Sequence, residues 1–494
     1  MTVQGLAPLS PEARRALLGT LLRRVAEGDV PRTALAAGHP LSAVQRRLWF
    51  FDQLEPGTWF YNVPATLAFD GPLDVGALER SLAEIVRRHE TLRTTIAAGS
   101  EEPRQIVAPA VPFVLPVLDL TTVPERDRES EARRLASEET LRPFDLARGP
   151  LFRATLLRLS PVRHVLFATA HHIVCDGLSV RVLLEELAVL YAAFAAGRPS
   201  PVGELPLQYG AIARSERALL QGEALREQVA YWKANLRGAP PWIDLPADRR
   251  RPARQTFRGD RQFGHLAAAA TERLRSVGRV QGATLFMTLL AAYCTLLSRY
   301  SGATDIVVGS PVAGRNSPET ERMIGCFVNM LPLRCDLTGD PSFTELVRRV
   351  RDAALGAYRH EALPFDRLVE ELNPARDPGR APVFQTVLNM SRYSDAWTAP
   401  VPGLSVTLLD LQHEPSMVDL TLYATELSDG LQLRAVYKAD LFEAATIQQM
   451  LRRFERLVDA VNADPDGRIS AIDLADSDER RALAGAFSAD LDDV

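Results

Sequence analysis

The chain has 494 residues, 46% hydrophobic and 24% charged, with a formal net charge of -5. At about 150 residues per domain that length allows three units or two large ones, and the composition excludes bulk disorder. The mildly acidic balance argues against a dedicated nucleic-acid binder, and the arginine excess over two lysines, Lys233 and Lys438, reads as background composition.

Four cysteines (Cys175, Cys294, Cys326, Cys335), none in a CxxC pair, make no disulfide framework. A reduced, cytoplasmic setting is therefore expected. The opening MTVQGLAPLSPEARR lacks a basic start followed by an apolar stretch, so no signal peptide is expected. Ser10-Pro11-Glu12 reads as an N-cap, N1 proline and first-turn acid, and Leu17, Leu18, Leu21, Leu22 and Val25 repeat at helical spacing behind it. Gly28, Pro31, Gly38 and Pro40 end that helix, so residues 1–37 are expected to be an appendage, a docking element or linker. Further helices are expected over Val75 to Arg88 and, charged and solvated, over Pro124 to Glu139, with β-like runs at Ala65 to Phe69 and Phe113 to Leu118. Strand and helix patterns that alternate without a repeat favour an α/β or α+β layered fold. Gly197 through Pro206 is a cluster of breakers, which sets an expected boundary between units 38–200 and 201–465. Pro240 to Arg254 reads as a surface meander. The apolar run Ala283 to Leu297 falls short of the ~20 residues of a membrane span and reads as a buried core helix, so no membrane association is expected. From 466 onward the chain turns acidic and reads as a linker toward a following domain.

The chemistry concentrates in His171 to Gly177. Val165 to His172 is rich in strand formers, and alternation puts His171 and His172 on opposite faces, so one of the two can meet a given cavity. Asp176-Gly177 reads as a turn, and Ser179 as the cap of a helix from Val180 to Phe194. Histidine is suited to proton transfer near neutral pH, and an adjacent Asp suits it as orienter or counter-charge. A satisfied core histidine is the structural alternative. Metal binding lacks a third ligand at metal-like spacing, and no G-x-S-x-G elbow supports a serine nucleophile.

The run HHIVCDG (171–177) resembles the HHxxxDG motif of nonribosomal peptide synthetase condensation domains, members of the chloramphenicol acetyltransferase-like superfamily. Ser42-Ala-Val-Gln45-Arg-Arg47-Leu48-Trp49 is similar to the family's SxAQxRLW segment. Arg88-His89-Glu90-Thr-Leu92-Arg93-Thr94 is similar to RHExLRT. Ile324 to Arg334 resembles IGxFVNxLPLR, His360 to Asp366 resembles HQDxPFE, and Arg376 to Pro382 resembles RDxSRxP. The likeness runs in order over roughly residues 38–465. Departures are Ala211 for Asp and Ser215 for Trp in the segment beginning at Tyr209, and Cys175 and Leu178 for the usual Ser and Trp.

The resemblance implies a V-shaped pseudo-dimer of two acyltransferase-like subdomains, each a mixed sheet flanked by helices, with the site in a tunnel at their junction. It implies an upstream and a downstream carrier protein, whose phosphopantetheine arms present a donor thioester and an acceptor amine. It also implies an adenylation domain in the same synthetase, no cofactor on this chain, and a monomer. The family match makes His172 the catalytic histidine, as general base or as a group that holds the amine. It groups Asp176, Gly177 and His171 with His172, Asp176 as a structural residue first, Gly177 as a point of close approach for a pantetheine arm or else a simple left-handed turn, and His171 as a packing residue. It also makes Arg315 the partner of Asp176, places Arg88, His89, Glu90 and Arg93 near the subdomain interface, and has Asn329 satisfy buried backbone groups. Trp49 is expected in the core. An ester-forming or free-standing enzyme, and a non-catalytic recruitment module, are the competing functions.

Overall fold

The computed structural model describes residues 38–99, 102–110, 112–375, 377–391, 403–409 and 414–475. The expected N-terminal helix, Arg376 and the tail beyond 475 lie outside the described residues. In the first half the chain runs β1 (His39–Pro40), α1 (Ala43–Leu54), β2 (Asn62–Asp70), α2 (Val75–Arg88), β3 (Thr94–Ala97), β4 (Arg104–Val107), β5 (Val117–Asp119), α3 (Glu125–Leu141), β6 (Phe152–Ser160), β7 (Arg163–His171) and α4 (Gly177–Ala195). The second half runs α5 (Tyr209–Leu219), α6 (Gly222–Asn235), β8 (Gly259–Ala267), α7 (Ala268–Val280), α8 (Leu285–Ser301), β9 (Asp305–Val312), α9 (Pro318–Glu321), β10 (Asn329–Asp336), α10 (Phe343–Arg359), α11 (Phe365–Leu372), β11 (Thr386–Ser391), β12 (Ser405–Leu409), β13 (Leu420–Leu427), β14 (Gly430–Lys438) and α12 (Ala444–Ala463).

Helix α2 forms where the apolar periodicity predicts it: the Asp74 carboxylate caps the Ala77 N–H, and Leu78, Leu82 and Ile85 bury one face. In α8, apolar residues cover every face, so the helix is buried all round, from Leu285 through Leu297. Gly302, at φ 72°, ends it in the left-handed conformation that glycine adopts without cost. Among the described residues no single helix is long and apolar enough to cross a membrane, and α7 and α8, which pass together, are bent by 102°. The β-like run from Phe113 contributes a strand only over Val117–Asp119.

Two mixed sheets carry the architecture, in the orders β12-β2-β7-β6-β5 and β10-β9-β11-β13-β14-β8. The halves share one pattern. β2-β7-β6-β5 and β8-β14-β13-β11 are each antiparallel, antiparallel, then parallel. In both, the first strand leads into a helix (α2 or α7) that packs on the helix following the second (α4 or α12).

The boundary expected at 200/201 is a division of the chain that packing crosses. β12 lies in the second segment yet pairs with β2 in the first sheet, Val406 opposite Phe69. Tyr209 at the start of α5 reaches Ser42, its hydroxyl 2.9 Å from Ser42 Oγ. The segment from 466 begins as part of the second core: Arg468 bridges Ser342, and Ile469 and Leu474 are buried with that core. The Pro240 to Arg254 meander is pinned rather than loose, since Asp248 and Arg249 N–H groups donate to the Leu441 carbonyl and Arg251 clamps Asp419 through two nitrogens.

Candidate active site

β7 delivers the histidine pair to the end of the first sheet. His171 is its last residue, paired with Asn62 on β2 and buried; Phe144 and Tyr61 meet its ring edge-on at 6.0 and 6.1 Å. Its Nδ1 accepts the Ile173 N–H at 3.1 Å. Burial, then the neighbouring His172, pushes its pKa down to about 3, so the ring is neutral. Its surroundings are those of a packed core histidine.

His172, one residue past the strand, is half-buried. Its N–H donates to the Tyr61 carbonyl at 2.8 Å, and its Nδ1 stands 3.4 Å from Cys326 Sγ, a contact from the second half. Nε2 makes no hydrogen bond among the described residues. Burial holds the imidazole below its ordinary pKa; Asp176 pulls it back up and Arg47 pushes it further down. The neutral ring, with one nitrogen engaged by sulfur, keeps Nε2 available to a substrate.

Asp176 is the N-cap of α4, not part of a turn ahead of a Ser179 cap. Its Oδ1 accepts the Ser179 N–H at 2.8 Å, so α4 starts at Gly177, three residues earlier than the apolar pattern suggested. Arg315 crosses from the second half and clamps the carboxylate, Nη1 to Oδ2 at 2.7 Å and Nη2 to Oδ1 at 2.9 Å. Both side chains are buried, 4% and 5% exposed. Burial raises the Asp176 pKa, but Arg315, the Phe327 N–H and Ser179 outweigh it and hold the carboxyl below the usual range. The guanidinium also lies over the Phe327 ring, 4.3 Å from its centroid.

Gly177 is exposed, and its φ lies outside the left-handed region, so the turn reading for it is corrected. A Cβ built there would meet nothing within 4 Å. The glycine faces open space.

Residues 323–328 of the second half are threaded against this motif. Gly325 N–H donates to Ser179 Oγ at 3.0 Å and Phe327 N–H to Asp176 Oδ2 at 3.0 Å. The Tyr209 hydroxyl donates to the Cys326 carbonyl and Thr91 Oγ1 to the Ile324 carbonyl. His89 completes the clasp: Nδ1 accepts the Ile324 N–H at 3.2 Å, while Nε2 stands 3.0 Å from Glu186 Oε2. Arg88 pairs with the other oxygen of Glu186 and donates through Nε to the Gly203 carbonyl. Burial lowers the His89 pKa more than Glu186 raises it, which preserves the neutral acceptor that Ile324 needs.

The structure thus brings His172, Asp176, Gly177 and Arg315 together and places Arg88 and His89 at the junction. It does not bring Arg93 there: its hydrogen bonds go to the Ala108 carbonyl and Glu90, both in its own half. Asn329 binds four backbone groups, donating to the carbonyls of Glu361 and Leu363 and accepting the N–H groups of Met330 and Phe365. Trp49 is half-buried against the cluster of Leu41, Leu48, Ile173 and Cys326.

Sequence reasoning assigned no role to Glu186, Cys326, Tyr209 or Arg47, although the last three stand in the motif-like segments. A signal existed for Glu186, since it interrupts the apolar stripe Leu183, Leu187, Leu190 at helical spacing. For Cys326 the motif-like segment marked the stretch but not the contact, because only the return of the second half brings its thiol to His172.

The family described as Condensation domain matches residues 37–484. The chain is 42% identical over 444 residues to chondramide synthase cmdD of Chondromyces crocatus, covering 90% of this chain and 11% of that protein. It is 39% identical to phosphinothricin tripeptide synthetase PhsC of Streptomyces viridochromogenes, covering 97% of this chain and 44% of that one. Among solved structures, a complex of the X-domain and OxyB from teicoplanin biosynthesis matches at TM-score 0.81 and 32% identity, covering 91% of this chain and 97% of that one. The first condensation domain of the calcium-dependent antibiotic synthetase, bound to a substrate analogue, matches at TM-score 0.73 and 26% identity, covering 89% and 99%. The chain spans between 6% and 11% of the length of the first curated relatives.

Proposed function

The chain belongs to the condensation-domain family, and from that premise we propose that it forms amide bonds between two carrier-bound substrates. The acceptor amine nitrogen attacks the carbonyl carbon of the donor thioester, the C–S bond breaks, and the donor carrier's pantetheine thiol leaves. One proton passes from the amine nitrogen to the departing sulfur, and His172 Nε2 is the group that takes or guides it.

The observation that carries this reading is the asymmetry of the motif. Asp176 and Ser179 spend their polar atoms on backbone, on one another and on the two Nη groups of Arg315, and the His171 ring is enclosed in the core with Nδ1 on backbone, while the half-buried His172 keeps Nε2 without a hydrogen bond among the described residues, on a neutral ring. The open space at Gly177 suits a pantetheine arm laid against the start of α4. Upstream and downstream carrier proteins are then the partners, with an adenylation domain in the same synthetase and a cytoplasmic setting. The pantetheine belongs to the carriers, so this chain holds no cofactor of its own.

A second reading, recruitment of another enzyme, draws on the likeness to a structure titled as an X-domain complexed with OxyB. An assay with donor and acceptor loaded on carrier proteins decides. We expect His172→Ala to lower product formation at least ~100-fold, the usual reach of a proton-transferring side chain, with an unchanged melting curve. Product formation that survives the substitution overturns catalysis by His172. A wild-type chain inert with every loaded pair favours recruitment.

A further inference from the structure

Cys326 comes from the second half and meets the imidazole of His172 directly, its Sγ 3.4 Å from Nδ1. Its backbone is held from three sides. The Tyr209 hydroxyl donates to its carbonyl, the Gly325 N–H ahead of it donates to Ser179 Oγ at 3.0 Å, and the Phe327 N–H behind it donates to Asp176 Oδ2 at 3.0 Å. Tyr209 can close over this segment because residue 325 is a glycine; a Cβ built there would collide with the Tyr209 ring. The Cys326 side chain is fully buried and clusters with Leu48, Ile173 and Val174. The sulfur therefore meets the ring from a position that its neighbours over-determine.

We propose that Cys326 is a positioning residue for His172: its sulfur accepts the Nδ1–H of the neutral ring, which leaves the Nε2 lone pair to the acceptor amine. The consequence for turnover rests on the condensation reading above.

The direction of that contact follows from what surrounds the ring. A neutral imidazole carries one proton and places it where an acceptor waits. Nδ1 has the sulfur, and a hydrogen bond from the ring to its own backbone, which Nδ1 alone can reach, also favours a proton there. Nε2 has no such acceptor among the described residues. Burial pushes the Cys326 thiol well up, so the sulfur keeps its own hydrogen and carries no charge. A thiol is a weak donor and a polarizable acceptor. It can leave its S–H among Leu48, Ile173 and Val174 at small cost and still take the ring N–H. A hydroxyl in its place is the stronger donor; it would claim Nδ1 as an acceptor and move the ring proton to Nε2, where it blocks the lone pair that the amine needs. In the reaction the amine N–H bond breaks as Nε2–H forms, and that proton then passes to the departing pantetheine sulfur. Nδ1 keeps its hydrogen throughout, and its bond to Cys326 is charge-assisted while the ring is a cation.

The test reads the tautomer in the whole chain with its eight histidines 15N-labelled and the His172 signals assigned by their loss in H172A. A long-range proton–nitrogen NMR spectrum at neutral pH tells the bare ring nitrogen from the one that bears hydrogen. Wild type should carry its proton on Nδ1; a proton on Nε2 overturns the proposal without any variant. C326A and C326V both remove the sulfur, one leaving space and the other filling it, and both should populate the Nε2–H ring. With loaded carriers both should lose kcat about tenfold, the worth of one modest hydrogen bond, at a nearly unchanged KM. A merely structural role predicts damage that follows side-chain size and an unmoved tautomer. The wild-type tautomer in either apolar variant overturns the proposal. Should neither fold, C326S decides: its hydroxyl should move the proton to Nε2, and a ring that keeps the wild-type tautomer overturns the assignment to sulfur. Because the tautomer is read without turnover, a chain inert in condensation refutes the function and leaves this inference standing or falling on its own reading.

Discussion

Asp176 carries three duties through two oxygens: it caps α4, binds Arg315 and receives the Phe327 N–H. A buried pair of this kind adds little net stability over an apolar pair, but removal of one partner strands the other charge. Asp176→Ala should therefore cost about 3–5 kcal/mol in denaturant unfolding, while the double variant Asp176→Ala with Arg315→Met should recover part of that loss. A double variant less stable than Asp176→Ala would refute the stranded-charge account. The motif containing this residue was legible from its neighbours in the chain, and the choice of Arg315 as its partner came from the family resemblance, which the structure bears out. Its duty as a cap was hidden because Ser179, also a good capping type, stands three residues later. Arg93 shows the opposite error: a motif arginine that the structure uses as a local strut between the Ala108 carbonyl and Glu90.

At the scale of elements, the two edges next to β2 and β8 are closed differently. The second half supplies β12 to cover β2, with Val406 turned inward at 3% exposure between exposed Ser405 and Thr407. Val406→Asp buries an unpaired charge there and should cost at least about 2–3 kcal/mol, read as a lower denaturant midpoint. A midpoint within error of wild type would mean that β12 contributes nothing to the first sheet. At β8 no strand is added among the described residues; instead α12 satisfies the edge. Gln448 donates to the Phe263 carbonyl and Glu455 accepts the His265 N–H. Side chains aimed at an open ladder block its pairing with another chain. Neither solution is readable locally, because a strand's neighbour depends on where a distant segment returns.

At the scale of the whole molecule, the junction stores histidines in neutral form, and pH therefore acts on stability. The unfolded chain binds a proton at His171 below about pH 6.5, whereas the folded chain refuses it down to about 3. The folded state thus holds fewer protons in that window, and stability falls as pH falls through it, by up to ~1.4 kcal/mol per pH unit from His171. His89, also lowered, adds in the same direction. Asp176, a depressed carboxyl, contributes stability above the ordinary carboxylate range that is lost only in stronger acid. The denaturant midpoint should drop between pH 7 and pH 5, with a shallower slope in His171→Asn; a flat wild-type profile would refute the neutral-histidine account. The sequence by itself determined the family, the candidate site run 171–177, the helix at 75–88 and the buried helix in the apolar run that α8 occupies from Leu285, because capping, periodicity and motif spacing are short-range. Only the tertiary structure decided that Cys326 lies on His172, that Arg47 faces Asp366, and that β12 crosses to the first sheet. Those contacts join residues remote in the chain. The packing of two halves brings them together, and no local pattern of residue types encodes that packing.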